Sequence, residues 1–206
     1  MGRFKEWKDN ILENKGKILI SLLFLIIASI LDYISGNYVR TAKVVTAPDL
    51  ILDYIPPINL SFIFVWFYLA VFFIIILYPL ISKPKKIHYF LGLISSFILV
   101  RGIFIIFTHL KTPVEAIPAT FPLIFQFLRF ENDMFFSGHT GLPFLAFLMF
   151  RKENKILAYF MLFSSIIMAI TVLLMHQHYS IDVFAAFFIT YGVYKIGDRI
   201  FNRKSS

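Results

Sequence analysis

The sequence predicts an all-α, polytopic membrane protein, built as one bundle of six transmembrane helices, and three observations support this. Hydrophobic residues make up 59% of the 206 residues and charged residues only 16%, whereas a soluble domain is roughly half apolar and about a quarter charged. The apolar residues form runs close to the ~20 residues that a helix needs to cross a ~30 Å hydrocarbon layer. The basic residues lie between these runs, which is typical of topology signals and not of a nucleic-acid partner.

Five apolar runs meet or approach the spanning length, and a sixth is shorter. In chain order the six runs are Ile18 to Ile34, Ser61 to Ile81, Tyr89 to Phe107, Gly141 to Phe150, Ile156 to Met175 and Ile181 to Ile196. The first run is too long for a cleavable signal sequence, carries Asp32 and lacks a small-residue cleavage site. Because the run from Gly141 is short, its helix needs an earlier start or a site sunk below the membrane surface. No linker divides the chain, so residues 1–206 are predicted to be a single membrane domain.

The distribution of Lys and Arg predicts the orientation. Fifteen of these 20 residues flank one set of span ends, four lie on the opposite side and Arg101 lies within the third run. Positive residues favour the cytoplasmic side, so we expect cytoplasmic termini, a tail over residues 1–16, and extracytoplasmic or lumenal loops at 37–60 and 109–137. The second loop is rich in Phe and is expected to lie in the interface or re-enter the membrane. The four basic residues on the outer side are Arg40, Lys43, Lys111 and Arg129.

Two short polar segments lie at the outer ends of predicted helices. Residues 133–140 read Asp-Met-Phe-Phe-Ser-Gly-His-Thr, and residues 176–182 read His-Gln-His-Tyr-Ser-Ile-Asp. Ionisable residues at membrane depth are costly and indicate function. His178 and Asp182 are four residues apart, so on a helix they share one face. The carboxylate would fix one imidazole nitrogen and leave the other free to attack an electrophile.

The first segment supplies a second imidazole. His139 could give a proton to a departing alkoxide, and Gly138 lets the backbone turn sharply beside it. If Thr140 caps the following helix, Pro143 falls in its first turn and the free N–H groups there favour an anion. These residue types indicate phosphoryl transfer, with a metal site as the alternative for a cluster of two His and an Asp. The chain contains no Cys, which excludes thiolate metal sites and Cys nucleophiles.

The two segments resemble motifs of the sphingomyelin synthase family, a branch of the lipid phosphate phosphatase superfamily. The stretch from Asn132 to Thr140 matches that family's Gly-Asp, aromatic, Ser-Gly-His-Thr element, with Asn in place of Gly. The stretch from His176 to Val183 matches its His-x-His-Tyr-(Ser/Thr)-x-Asp-Val element. Weaker similarities are Pro48-Asp49 and Arg101, and the resemblance runs over residues 48–195.

The resemblance implies a six-helix bundle with a lipid phosphate phosphatase-like core, an extracytoplasmic site, and no metal or other cofactor. His178 would attack the phosphorus of a phospholipid donor, with Asp182 orienting it. His139 would be the acid for departure of the lipid alcohol and the base for a ceramide- or diacylglycerol-type acceptor. The residues expected to bind substrate are Arg101, Asp133, Ser137, Gly138, Thr140, His176 and Tyr179.

Some assignments stay open at the level of the sequence. Arg101 is a candidate for the phosphate or for an ion pair with Asp32 or Asp182, and Asp133 could tune a His, meet a cationic headgroup or cap a helix. The superfamily's phosphate-clamping Ser-Arg pair is replaced by Thr171 and Val172, which counts against a dianionic monoester substrate. The sequence therefore favours a membrane phosphotransferase, with a water-using lipid phosphatase or phosphodiesterase, or a non-catalytic lipid-binding or transport protein, as alternatives.

Overall fold

The computed structural model describes residues 2–128 and 131–202. Over these residues the chain is helical and contains no strand, which confirms the predicted fold class. An isolated backbone bridge joins Val45 to Leu110 between the two outer loops. Arg129, Arg203 and Lys204, which enter the charge count above, lie outside the described residues.

Six helices match the six apolar runs, and one more precedes them. In chain order they are α1 (Gly2–Glu13), α2 (Lys15–Thr41), α3 (Tyr68–Ser82), α4 (Ile87–Phe107), α5 (Gly138–Phe150), α6 (Lys155–Leu174) and α7 (Ser180–Phe201). A π-helical turn over Ile63–Phe67 leads directly into α3, and single 3₁₀ segments cover Pro84–Lys86 and Leu123–Leu128. In the described part of the chain, five segments are long and apolar enough to span a bilayer, and only α5 among the six is shorter. The chain is thus an integral membrane protein.

The predicted N-terminal tail is itself largely helical. Residues 2–13 form α1, and Asn14 separates this helix from α2. The Trp7 indole Nε1 donates a hydrogen bond to the Leu80 carbonyl oxygen at 2.7 Å, near the end of α3. The N-terminal segment therefore packs against the end of the bundle where most of the Lys and Arg residues lie, here called the basic end.

Helix α5 is the central helix of the bundle. Nine of its 13 residues are buried, and its neighbours are α3, α4, α6 and α7. Gly141 allows the close approach, since a Cβ there would lie 2.8 Å from the Phe97 ring and 2.9 Å from the Thr190 hydroxyl oxygen. With 13 residues, α5 is about 20 Å long at 1.5 Å per residue. It cannot cross a ~30 Å hydrocarbon layer, so at least one of its ends lies below the membrane surface.

The basic end of the bundle is held by one carboxylate. Glu153, in the connection between α5 and α6, forms ion pairs with Lys83 at 3.0 Å and with Lys86. Burial by itself raises the pKa of Glu153, but the hydrogen bonds and charges of the two lysines outweigh it and hold the pKa below its ordinary value. The carboxylate thereby ties the α3–α4 connection to the α5–α6 connection.

Candidate active site

The two polar segments meet at the opposite end of the bundle. The Ser137 backbone N–H donates to the Asp182 carbonyl oxygen at 3.1 Å, which joins the start of α5 to the start of α7. The Ser137 hydroxyl accepts from the Thr140 N–H at 3.4 Å. Ser137 is therefore the N-cap of α5. Two segments about forty positions apart in sequence are thus brought side by side.

The start of α5 differs from the expectation in one detail. Ser137, and not Thr140, caps the helix, so Pro143 lies inside the helix and beyond the first turn. Proline has no N–H, so the His139 carbonyl oxygen lacks its usual helical donor four residues later. The earlier start adds three residues to the apolar run that began at Gly141. It places His139 in the first turn of the helix.

The connection between α6 and α7 turns through a left-handed residue. His176 has a φ of 53°, and its N–H bonds the Leu173 carbonyl oxygen at 2.9 Å while the Gln177 N–H bonds that of Val172 at 2.8 Å. This pair of bonds is a Schellman motif, which usually has Gly at the left-handed position. The His176 Nε2 lies 2.9 Å from the Ile55 carbonyl oxygen. His176 thus anchors the turn to the first outer loop.

His178 and Asp182 form the pair that their spacing predicts. The His178 Nδ1 lies 3.2 Å from the Asp182 Oδ2, and the Tyr179 N–H donates to the same oxygen at 3.1 Å. The Asp182 side chain is fully buried, while His178 is 6% exposed. With Nδ1 engaged, Nε2 is the nitrogen available to a substrate.

Both outer loops hold the segment that follows His178. The Tyr179 hydroxyl donates to the Lys111 carbonyl oxygen at 2.9 Å and accepts from the Ala47 N–H at 3.2 Å. The Ser180 N–H, at the first position of α7, donates to the Asp49 Oδ2 at 2.6 Å. The first turn of α7 is therefore fastened to residues from both loops.

The Asp49 carboxylate accepts hydrogen bonds from three backbone N–H groups. Its Oδ1 accepts from the N–H groups of Ile51 at 2.9 Å and Leu52 at 3.1 Å, in addition to the Ser180 bond to Oδ2. Burial alone would raise the pKa of the Asp49 carboxyl, but these hydrogen bonds outweigh it and hold the pKa below the ordinary value of 3.8. Asp49 is consequently ionised at neutral pH, with its charge at the N-terminus of α7, where a helix favours an anion.

His139 lies among aromatic rings. The Phe64 and Tyr68 ring centroids are each 4.2 Å from the His139 ring centroid, and Phe121 is 6.1 Å away. The neighbouring Gly138 has no positive φ, so the expected sharp turn does not explain the glycine. A Cβ at this position would lie 3.0 Å from the Nε of Arg101. Close packing, and not backbone conformation, favours glycine here.

Arg101 forms ion pairs with two carboxylates. Its Nη1 lies 3.1 Å from the Asp32 Oδ1 on α2, and its Nη2 bonds the Asp133 Oδ2 in the loop before α5. Of the ion-pair alternatives left open by the sequence, the structure has the one with Asp32 and not the one with Asp182. Asp133 does not cap α5, whose cap is Ser137, and is the second carboxylate of this cluster.

A cavity of about 250 Å³ connects these groups. Its ionisable lining residues include Arg101, Asp133, His139 and His178, together with Asp32. Its apolar lining residues include Phe72, Ile94, Ile98 and Leu142. The cavity thus offers both charged groups and hydrocarbon surface to a ligand.

The structure divides the predicted site residues into two groups. Those that line the cavity are Arg101, Asp133, Gly138, His139 and His178. The remaining ones do not line the cavity but form hydrogen bonds or ion pairs that hold the segments carrying the lining residues; they are Ser137, Thr140, His176, Tyr179 and Asp182. Thr171 and Val172, at the positions of the missing Ser-Arg pair, are buried in α6 and do not reach the cavity. In residues 2–128 and 131–202 no cluster of three or more His, Asp or Glu side chains could hold a metal ion.

Several cavity residues were not identified from the sequence. Phe64, Tyr68 and Phe72 belong to an apolar run in a chain with 26 Phe and 10 Tyr, so their spacing of four residues was not distinctive. Gln177 adjoins a recognised motif and also lines the cavity. The signal for Gln177 was its position between two histidines.

The part of the chain that contains both polar segments resembles a known family. Residues 132–198 match the family model described as PAP2 superfamily C-terminal. This match covers about a third of the chain, includes both polar segments, and supports the phosphatidic acid phosphatase superfamily. It supports an enzyme with lipid phosphatase- or phosphotransferase-type activity. No curated protein and no solved structure matches the chain significantly.

Proposed function

We propose that this protein is a membrane phosphotransferase of the sphingomyelin synthase type, which moves a phosphoryl-headgroup from a phospholipid to a lipid alcohol. The observation that carries the proposal is that His178 and His139 line the same cavity. Asp182 contacts His178 without itself lining that cavity. A nucleophile, its orienting carboxylate and a second imidazole are the groups needed for covalent transfer with acid–base assistance.

The shape of the cavity suits a lipid substrate. Its polar lining can receive a phosphate, and its apolar side chains on α3 and α4 can receive the first part of an acyl chain. Helix α5 is about 20 Å long and begins beside the imidazoles. If its other end reaches the opposite interface, its start and the imidazoles lie at or below the membrane surface. A phospholipid could then react without leaving the bilayer.

In the first step, the His178 Nε2 attacks the phosphorus of the donor phosphodiester. The new P–N bond replaces the P–O bond to diacylglycerol, and His139 in its protonated form donates a proton to the departing oxygen. Asp182 keeps the Nδ1 proton of His178 in place and stabilises the positive ring. The product is diacylglycerol and a phosphohistidine that carries the headgroup.

In the second step, neutral His139 accepts the proton of the acceptor hydroxyl. The hydroxyl oxygen of ceramide or diacylglycerol attacks phosphorus, the P–N bond breaks, and His178 is regenerated. Binding the acceptor beside the intermediate raises its effective concentration. No metal and no other cofactor takes part in either step.

The charges of the cavity favour a diester. Arg101 is already paired with Asp32 and Asp133, and Glu131 adds a third carboxylate to the lining. A dianionic phosphate monoester would meet this excess of negative charge, and among the described residues that line the cavity Arg101 supplies the only guanidinium. A diester with a cationic headgroup carries little net charge, so the proposal favours zwitterionic phospholipids as donors.

Water is the competing acceptor. If it resolves the same phosphohistidine, the protein is a lipid phosphodiesterase or phosphatase. The 6% exposure of His178 and the fastening of its segment by both outer loops limit the access of water, which favours transfer.

The test uses purified protein and a zwitterionic phospholipid labelled in its headgroup, with and without ceramide or diacylglycerol. Transfer predicts labelled headgroup in a new lipid only when an acceptor is present. Water-soluble labelled headgroup as the only product would identify a hydrolase. No release of headgroup in either case, with lipid still bound or transported, would favour the non-catalytic alternative.

A matched pair of substitutions tests the nucleophile. His178→Ala should abolish turnover. It should also abolish the acid-labile, headgroup-labelled protein that the wild type should yield when it is denatured after the first step, with donor present and no acceptor. His109→Ala is the control, because His109 is exposed in the second outer loop and does not line the cavity. Turnover retained in His178→Ala would remove the assignment.

We further propose that both termini are cytoplasmic and that the site faces the extracytoplasmic or lumenal side. The proposal rests on the distribution of Lys and Arg. A reporter fused after Ser206 should be detected in the cytoplasm. Detection on the other side would reverse the orientation of the site.

A further inference from the structure

The helix that leads into α3 changes its winding beside His139. Over Ile63–Phe67 the turn is π-helical, and the Tyr68 N–H bonds the Ile63 carbonyl oxygen five residues earlier. Single π-helical turns within helices are uncommon and occur frequently at functional sites. This turn carries Phe64, and Tyr68 follows it directly. The departure from regular helix therefore coincides with the two rings that contact His139.

The contacts of these rings with His139 are close. Both centroids lie 4.2 Å from that of the imidazole, with interplanar angles of 24° for Phe64 and 40° for Tyr68. Phe64 is 3% exposed and Tyr68 is 8% exposed, so both rings are held by the surrounding bundle. Aromatic faces also attract a cation within ~6 Å, and His139 becomes a cation whenever it carries the proton of the proposed reaction.

We infer that Phe64 and Tyr68 are positioning residues, which hold the His139 imidazole in the orientation required for proton transfer. The inference rests on the proposed function and assigns a role to two residues outside both sequence motifs. Neither ring is expected to exchange a proton. Their effect on the reaction passes through His139.

Two observations distinguish this role from ordinary core packing. The chain has many aromatic pairs, but these two rings line the cavity together with the imidazole that they contact. The imidazole belongs to α5, whereas the rings belong to the π-helical turn and to α3. Because they come from a separate element, they fix the position of His139 relative to the rest of the cavity. A small displacement of such a group can cost about 10²-fold in rate.

The geometry can be tested without any activity. The chain has five histidines, so ¹³C-labelling of histidine in lipid nanodiscs gives few ring signals, and His139→Ala identifies the signal of interest. The rings should shift the His139 signal upfield, and Phe64→Leu and Tyr68→Leu should each move it back. The signals of the other four histidines should stay in place, which also reports an intact fold. Phe163→Leu, on the exposed face of α6, is the matched control.

Kinetics with the transfer assay then test the role. Phe64→Leu and Tyr68→Leu should lower kcat by about 10²-fold with little change in KM. Tyr68→Phe keeps the ring and should be at least tenfold more active than Tyr68→Leu. Phe163→Leu should leave kcat unchanged.

The two readouts separate the possible failures. An unmoved His139 signal, or unchanged kcat in both Leu variants, would overturn the inference. A raised KM at constant kcat would overturn it in favour of rings that bind substrate, and equal losses in Tyr68→Phe and Tyr68→Leu would overturn it in favour of the hydroxyl. If the signal moves as expected but the wild-type protein shows no turnover, the proposed function fails and with it the role in proton transfer, while the ring contacts stand.

Discussion

Replacing Asp49 by Asn should destabilise the protein even though the side chain keeps its size. The asparagine Oδ1 can still accept from Ile51 and Leu52, but its amide group would present a second donor to the Ser180 N–H, where the carboxylate oxygen now lies 2.6 Å away. A hydrogen bond to a charged group contributes about 1.5–3 kcal/mol, and an anion at a helix N-terminus adds about 0.3–1 kcal/mol. We expect the free energy of unfolding to fall by about 2–4 kcal/mol.

The assay is reversible unfolding in mixed micelles with increasing SDS, followed by circular dichroism. Asp53→Asn is the matched control, since it makes the same chemical change at an exposed position of the same loop. The pKa of Asp49 is lowered in the folded protein, so its contribution is complete above the ordinary value of 3.8 and is lost as the pH falls through the lower, folded value. The difference between wild type and Asp49→Asn should therefore be constant from pH 7 to pH 5 and shrink only in stronger acid.

Two results would refute this reasoning. If Asp49→Asn were no less stable than Asp53→Asn at pH 7, the charged Asp49 carboxylate and its bond from the Ser180 N–H would not be contributing to stability. If the difference instead grew as the pH fell from 5 to 3, the sign of the pKa shift would be wrong. Because Ser180 is two residues from His178, we also expect slower transfer in Asp49→Asn.

Three further substitutions test other parts of the structure. Tyr179→Phe removes the hydroxyl that joins both outer loops and leaves a backbone N–H and a carbonyl unpaired. The free energy of unfolding should fall by about 1–3 kcal/mol. Thermal unfolding in detergent measures this, and an unchanged melting temperature would contradict it. Gly141→Ala should destabilise the bundle by about 1–3 kcal/mol through overpacking against α4 and α7, whereas Gly16→Ala, which meets no neighbouring atom, should not. Glu153→Gln should cost about 1 kcal/mol, since its lysine partners are partly exposed; because the pKa of Glu153 is lowered, this loss should be present at pH 7 and disappear in acid as wild-type Glu153 becomes protonated.

Much of the fold follows from local sequence. Each apolar run of near-spanning length became a helix, because lipid forces the backbone to satisfy its own hydrogen bonds. The length of α5 was less predictable. The short run from Gly141 required either an earlier start or a sunken site, but the candidate cap in the sequence was Thr140. The observed cap is Ser137, so Gly138 and His139 belong to the helix.

The site was predictable to the extent that its groups are close in sequence. The pair of His178 and Asp182 follows from a spacing of four on one helix. Asp32 was one of two alternative ion-pair partners for Arg101, and Asp133 was not expected as a partner, because the two carboxylates lie 69 and 32 residues away in the chain.

The amino-acid sequence by itself determined that the chain lies in a membrane and where its six apolar helices lie, although not the additional N-terminal helix, and it singled out the two polar segments to which the proposed chemistry is assigned. These properties depend on hydrophobic run length and on spacing within one helix. Only the tertiary structure decided that Asp49 bonds the first turn of α7, that Arg101 is paired by two carboxylates and that Phe64 and Tyr68 contact His139. Such contacts join residues far apart in the chain, and their distances depend on how whole helices pack, which no local pattern encodes.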